Sequence, residues 1–127
     1  FVSLNCALSE HTHRLIDRHS LALMKPTAVL INTARGGLVV ESDLIEALES
    51  GQIGGAGLDV FEIEPTARDN KLYSMDNVVL SPHMAGLDTL SVEDMVNEAA
   101  QCVIDLFRGR WPEEAIINGE LSGKWIW

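Results

Sequence analysis

The amino-acid sequence predicts an α/β protein built on a doubly wound parallel sheet. Residues 28–65 carry most of that prediction. Apolar, β-branched runs stand at both ends (Ala28-Val29-Leu30-Ile31 and Ala56-Gly57-Leu58-Asp59-Val60), and between them Leu44, Ile45 and Leu48 fall at helical spacing. Two strands joined through one short helix form a βαβ unit, in which the strands run parallel. The strands are apolar without alternation, as a parallel sheet covered on both faces requires. Further apolar runs near residues 1–5 and 78–81 extend the pattern to four strands.

Taken in order, Phe1 to Asn5 reads as a strand and Cys6 to His13 as the polar loop that leaves it. Asp17 to Lys25 reads as a helix capped by Asp17, with Leu21 and Met24 on one face, and Pro26 stops it by removing a donor. The strand at 28–33 follows. The helix at 41–50 has Ser42 and Asp43 as its start signal and Gly51 as its stop signal, and a strand at 54–60 completes the unit. Residues 61–77 are loop-like, with one helical turn expected at Leu72-Tyr73, before the strand at 78–81. Asp88 to Arg110 is a long helical pattern, about 33 Å at 1.5 Å per residue. It places Leu90, Met95, Val96, Ala99, Val103, Ile104 and Phe107 on an apolar face and Gly109 at its end. The tail carries Trp111, Trp125 and Trp127, read as packing residues.

Composition narrows the function. With 127 residues, 46% of them hydrophobic, the chain can bury a core of ordinary size. Its formal charge of −10 argues against a grip on nucleic-acid phosphates. No stretch reaches the roughly 20 apolar residues that a membrane span needs. The sequence opens at Phe1 within a strand and without a charged, then apolar leader, so it is expected to be a fragment of a longer cytoplasmic protein. Cys6 and Cys102 belong to no CxxC pair, and His11 and His13 have no further ligand at metal-binding spacing, so no metal site is expected.

In an open α/β sheet ligands bind beyond the carboxyl ends of the strands. Thr33-Ala34-Arg35-Gly36-Gly37 leaves one strand there, Asp59 ends the next, and Ser81-Pro82-His83-Met84-Ala85-Gly86 leaves the last. Arg35 offers a planar cation for a carboxylate, beside glycines that let the chain turn. Singly, each group also fits a bland role: an incidental surface Arg, solvated loop acids, a turn histidine. Three strands delivering one polar group each to the same rim is the pattern of a site.

The segments NTARGGLV, ALESGQIGGAGLDVFEIEP and SPHMAG, in that order, resemble the D-isomer-specific 2-hydroxyacid dehydrogenases, over residues 1 to about 118. The resemblance implies the second half of a Rossmann-type NAD-binding domain over residues 1–87, a crossover helix over 88–110 returning to the substrate domain, and a tail, 111–127, on the substrate-domain side. It implies hydride transfer between NAD, with NADP not excluded, and a small D-2-hydroxy or 2-keto acid of the phosphoglycerate, hydroxypyruvate or glyoxylate type, in a full-length homodimer.

By the same resemblance Arg35 holds the substrate carboxylate, His83 is the general acid for reduction and the base for oxidation, and Glu64 hydrogen-bonds His83 and favours its protonated form. Asp59 matches the residue that contacts the nicotinamide carboxamide. Cys6, Thr33, Ala34, Arg35, His83, Ala85 and Gly86 complete the implied cofactor-binding set. The sequence departs from the family at Asn5-Cys6-Ala7, where His-Cys-Pro is usual, and at Val40, where Asp is usual. The family also includes NAD-sensing corepressors of the C-terminal-binding-protein type, to which residues 8–16 are similar. Met84-Ala85-Gly86-Leu87 resembles the metabolic enzymes instead, since the corepressors carry a Trp-containing stretch after the His.

Overall fold

The computed structural model describes residues 1–124, so Trp125 and Trp127 lie outside the described residues. The chain divides into two compact units, Phe1–Ala85 and the segment that begins at Gly86. The first holds four parallel strands, β1 (Val2–Leu4), β2 (Val29–Asn32), β3 (Gly55–Leu58) and β4 (Val78–Leu80), lying side by side in sequence order. Successive crossovers that add strands in one direction build one half of a doubly wound sheet. Each strand lies within the range expected from its apolar run.

Two helices connect the first three strands. The first, α1 (Arg18–Ala22), begins at Asp17, whose carboxylate accepts the N–H groups of His19 and Ser20 in a capping box. It stops short of the expected Lys25 because Pro26 has no N–H to offer the carbonyl of Ala22. The second, α2 (Glu41–Glu49), starts without the predicted side-chain cap: Val40 occupies that position and forms no cap hydrogen bond. Asp43 is instead buried, where it accepts the Arg18 N–H at 2.9 Å and the Arg18 guanidinium at 2.8 Å. A tertiary bond between α1 and α2 has taken the side chain that local sequence offered as a cap. Gly51, at φ 70°, ends α2 as expected.

The core lies between these helices and the sheet. Leu21 of α1, Leu44 and Leu48 of α2, Leu30 of β2 and Leu58 of β3 are all buried, with Ile53 and Leu72 closing the cluster. Burial is not uniform along the sheet: Val79 on the terminal strand β4 is exposed, whereas β3 is almost wholly buried. Leu72-Tyr73 falls in the expected helical turn, Lys71–Ser74, where Asn70 accepts the Leu72 N–H at 3.0 Å.

The second unit is dominated by α3 (Thr89–Phe107), capped by Asp88 and followed by Gly109 at φ 73°. Leu90, Met95, Val96 and Phe107 of this helix are exposed, and Leu106 is half-buried. No helix among the described residues is long and apolar enough to cross a membrane.

Candidate active site

The site is built where β2, β3 and β4 end. After β2 the buried side chain of Asn32 folds the chain back on itself: its Nδ2 donates to the Arg35 carbonyl at 2.9 Å and its Oδ1 accepts the Ala34 N–H at 3.1 Å. This turn leaves Thr33 and Arg35 exposed at the sheet edge, and Arg35 donates from Nη1 to the Ala34 carbonyl at 2.6 Å. No ion pair joins Arg35 to a carboxylate among the described residues. Gly36 then opens a single 3₁₀ turn. A Cβ at Gly36 would stand 1.7 Å from the Phe61 carbonyl oxygen, so only glycine lets the chain after β3 pass this close.

Asp59, directly after β3, is 2% exposed. Its Oδ1 accepts the Ser81 hydroxyl and, at 2.8 Å, the Met84 N–H, while its Oδ2 accepts the Ala85 N–H at 2.8 Å. The Asp59 carbonyl accepts the His83 N–H, also at 2.8 Å. Burial pushes the Asp59 carboxyl upward, but the Ser81 hydroxyl and the two backbone donors outweigh it and hold the group below its ordinary value. Asp59 therefore builds the loop that carries His83, a role local sequence does not announce because all its donors come from residues 81–85.

His83 has φ 57°, in the left-handed region where residues other than glycine are uncommon. Its Nδ1 lies 2.7 Å from Glu64 Oε2, and the other Glu64 oxygen accepts the Phe61 N–H at 2.9 Å. The His83 bond first, and then the Phe61 N–H, hold the Glu64 carboxyl below its usual range. Glu64 is thus an anion at neutral pH, and it engages one ring nitrogen of His83, leaving Nε2 for other chemistry. The pair borders a cleft of about 260 Å³ walled by Phe61, Pro65, Tyr73 and Pro82.

The structure thus joins Glu64 to His83 and joins Asp59 to the His83 loop, and it sets Arg35 beyond the same ends of the parallel strands. Cys6 lies two residues past β1, half-buried against the core, and Ala85 is exposed beyond β4. Gly86 opens the second unit. Gly36, expected to let the chain turn, also admits the backbone of Phe61, and Asn32 and Ser81, which no motif singles out, shape the site through their side-chain hydrogen bonds. No cluster of three or more His, Cys, Asp or Glu side chains is placed to hold a metal among the described residues.

A parallel α/β sheet that gathers an arginine, a buried aspartate and a Glu–His pair at its carboxyl edge has the architecture of a dinucleotide-binding domain. Residues 1–85 match the family described as "D-isomer specific 2-hydroxyacid dehydrogenase, NAD binding domain", and the chain belongs to that family. It is 42% identical over 121 residues to a glyoxylate reductase of Korarchaeum cryptofilum, covering 95% of this chain and 36% of that protein. It is 44% identical to a glyoxylate reductase of Pyrococcus furiosus, covering 95% of this chain and 35% of that protein.

Among solved structures, the NAD-complexed D-isomer specific 2-hydroxyacid dehydrogenase of Lactobacillus delbrueckii ssp. bulgaricus superposes with a TM-score of 0.83 at 35% identity, over 91% of this chain and 39% of that one. A D-lactate dehydrogenase with NAD⁺ from Lactobacillus jensenii gives a TM-score of 0.77 at 37% identity, over 85% and 36%. The chain spans about a third of the length of the curated relatives it matches. These relatives are named as reductases and dehydrogenases, and nothing in the comparisons supports the corepressor alternative.

The residues present suit the nicotinamide end of NAD. The carboxyl edge presents Arg35, with no ion pair among the described residues, beside the small exposed or half-exposed residues Thr33, Ala34 and Ala85. No Gly-x-Gly-x-x-Gly segment that could cradle the pyrophosphate occurs in these 127 residues.

Proposed function

We propose that the protein to which this chain belongs reduces a small 2-keto acid, of the glyoxylate, hydroxypyruvate or phosphohydroxypyruvate type, to the 2-hydroxy acid, of D configuration where the product is chiral, with NADH as the reductant. When bound, the nicotinamide supplies the hydride. The substrate carboxylate seats on the guanidinium fork of Arg35, which also draws electron density from the neighbouring carbonyl. His83 holds a proton on Nε2 for the carbonyl oxygen, while Glu64 fixes the ring through Nδ1 and supplies the counter-charge for an imidazolium. In oxidation the neutral ring takes the proton back from the hydroxyl.

Cys6, Thr33, Ala34, Arg35, Asp59, His83, Ala85 and Gly86 are proposed to line the cofactor, with residues 1–87 as part of its domain, 88–110 as the crossover helix and 111–127 on the substrate-domain side. A homodimer is proposed for the full-length protein. The observation that carries this reading is the 2.7 Å contact of His83 with Glu64 at the edge where Arg35 stands without an ion pair among the described residues. In the full-length protein, His83→Gln should lower kcat for glyoxylate reduction by about 10²–10⁴, the usual worth of general acid catalysis, with NADH affinity nearly unchanged. A loss of less than about tenfold would remove His83 from this role.

A further inference from the structure

The loop that carries Glu64, residues 61–70, has no regular structure, yet Glu64 must hold its carboxylate against a ring carried by another strand's loop. A side chain outside the loop restrains it at both ends. Glu41 Oε2 accepts the Glu62 N–H at 3.1 Å, and Glu41 Oε1 accepts the Asn70 side-chain amide at 2.7 Å. The two tethered positions bracket Glu64.

Each anchor is itself fixed. Glu41 is the first residue of α2, which is seated in the core through Leu44 and Leu48. Asn70 also donates to the Thr66 hydroxyl at 2.8 Å and accepts the Leu72 N–H. The Glu41 N–H faces Glu62 Oε2 at 3.4 Å, and Arg14, 3.8 Å from Glu62, offsets the proximity of the two acids.

We propose that Glu41 is a positioning residue for the Glu64–His83 pair, acting by clamping the 61–70 loop to the start of α2. It touches neither His83 nor any reacting atom. The inference rests on the reading of His83 as the proton donor. An acid in the first turn of a helix also stabilises that helix, and this alternative role would lower stability without touching the pair.

The two roles separate in the full-length protein. Glu41→Ala should lower kcat for glyoxylate reduction by about tenfold or more, since small misplacements of catalytic groups cost up to about 10², while KM for NADH stays within about twofold. Glu41→Gln, which keeps one carbonyl oxygen for the clamp, should fall between Glu41→Ala and wild type. The ring ¹⁵N resonances of His83 should move in Glu41→Ala toward those of Glu64→Gln. A lower melting temperature with unchanged kcat and unchanged His83 resonances would overturn the proposal.

If Glu41→Ala does not fold, Asn70→Asp decides the matter. It keeps the acceptor for Leu72 but sets a like charge against Glu41, and resonances identical to wild type would overturn the clamp. If wild type reduces no 2-keto acid, the proposed function fails, but the His83 spectrum still tests the clamp on its own: movement in Glu41→Ala upholds it and constancy overturns it.

Discussion

His83 sits in left-handed backbone, a conformation that costs on the order of 1–3 kcal/mol and persists only where the surroundings impose it. Asp59 imposes it, through its carbonyl on the His83 N–H and its carboxylate on the next two N–H groups. Asp59→Ala should therefore destabilise the protein by about 2 kcal/mol or more in urea titration, because two backbone donors lose their acceptor. It should also lower kcat. Full stability in the variant would show that the loop holds itself.

Glu64 makes a different prediction. Its carboxyl is held below the ordinary 4.5 in the folded chain, chiefly by His83. The contribution of this contact to stability is complete above that value and is lost as pH falls through the lower, folded one. Glu64→Gln removes the group that titrates, so the variant should lose less stability than wild type on acidification through this range, read by urea titration on either side of it. Equal losses would mean that the Glu64–His83 contact adds nothing to stability. With Arg35 in the proposed role of seating the substrate carboxylate, Arg35→Lys should raise KM for the keto acid more than it lowers kcat.

Turns between elements decide how the site closes, and Gly36 and Gly37 make unequal demands although they are neighbours. A Cβ at Gly36 would lie 1.7 Å from backbone, the Phe61 carbonyl oxygen, whereas one at Gly37 would lie 3.1 Å from the movable Leu8 Cδ2. Gly36→Ala should cost at least about 1–3 kcal/mol and displace the chain leading to Glu64, while Gly37→Ala should cost much less. Thermal unfolding of both variants, with kcat, reads the difference, and equal effects would contradict it.

The same contrast shows what the sequence made legible. Apolar runs located all four strands, and helical spacing located α2, because burial on a sheet or against one imposes a period on the chain. The start of α2 was misread at Asp43, whose carboxylate is spent on Arg18 of α1, a partner 25 residues distant. Arg35, Glu64 and His83 were recognisable by motif. The clamp by Glu41, the support from Asn32 and the loop-building by Asp59 were not, because each depends on which backbone donors the folded chain brings within reach.

At the scale of the whole chain, charge and missing chemistry bear on the cofactor together. The net charge of −10 repels an anionic dinucleotide, so affinity has to come from local donors. Most of the charge on NAD lies on its pyrophosphate, and the usual receptor for it is a glycine-rich turn at a helix N-terminus. These 127 residues contain no such turn, and their rim offers Arg35 as its unpaired cation among the described residues. On the proposed reading the first unit meets only the nicotinamide end, where hydrogen bonds net only about 1 kcal/mol each and the cost of immobilising the ligand is several times that. Residues 1–127 alone, once shown to be folded by circular dichroism, should therefore bind NAD with a Kd of about 1 mM or weaker in calorimetry, near −4 kcal/mol. The full-length protein should bind it far more tightly. Low-micromolar affinity in the isolated segment would require a phosphate receptor within these residues, and the division of the cofactor site proposed above would have to be redrawn around it.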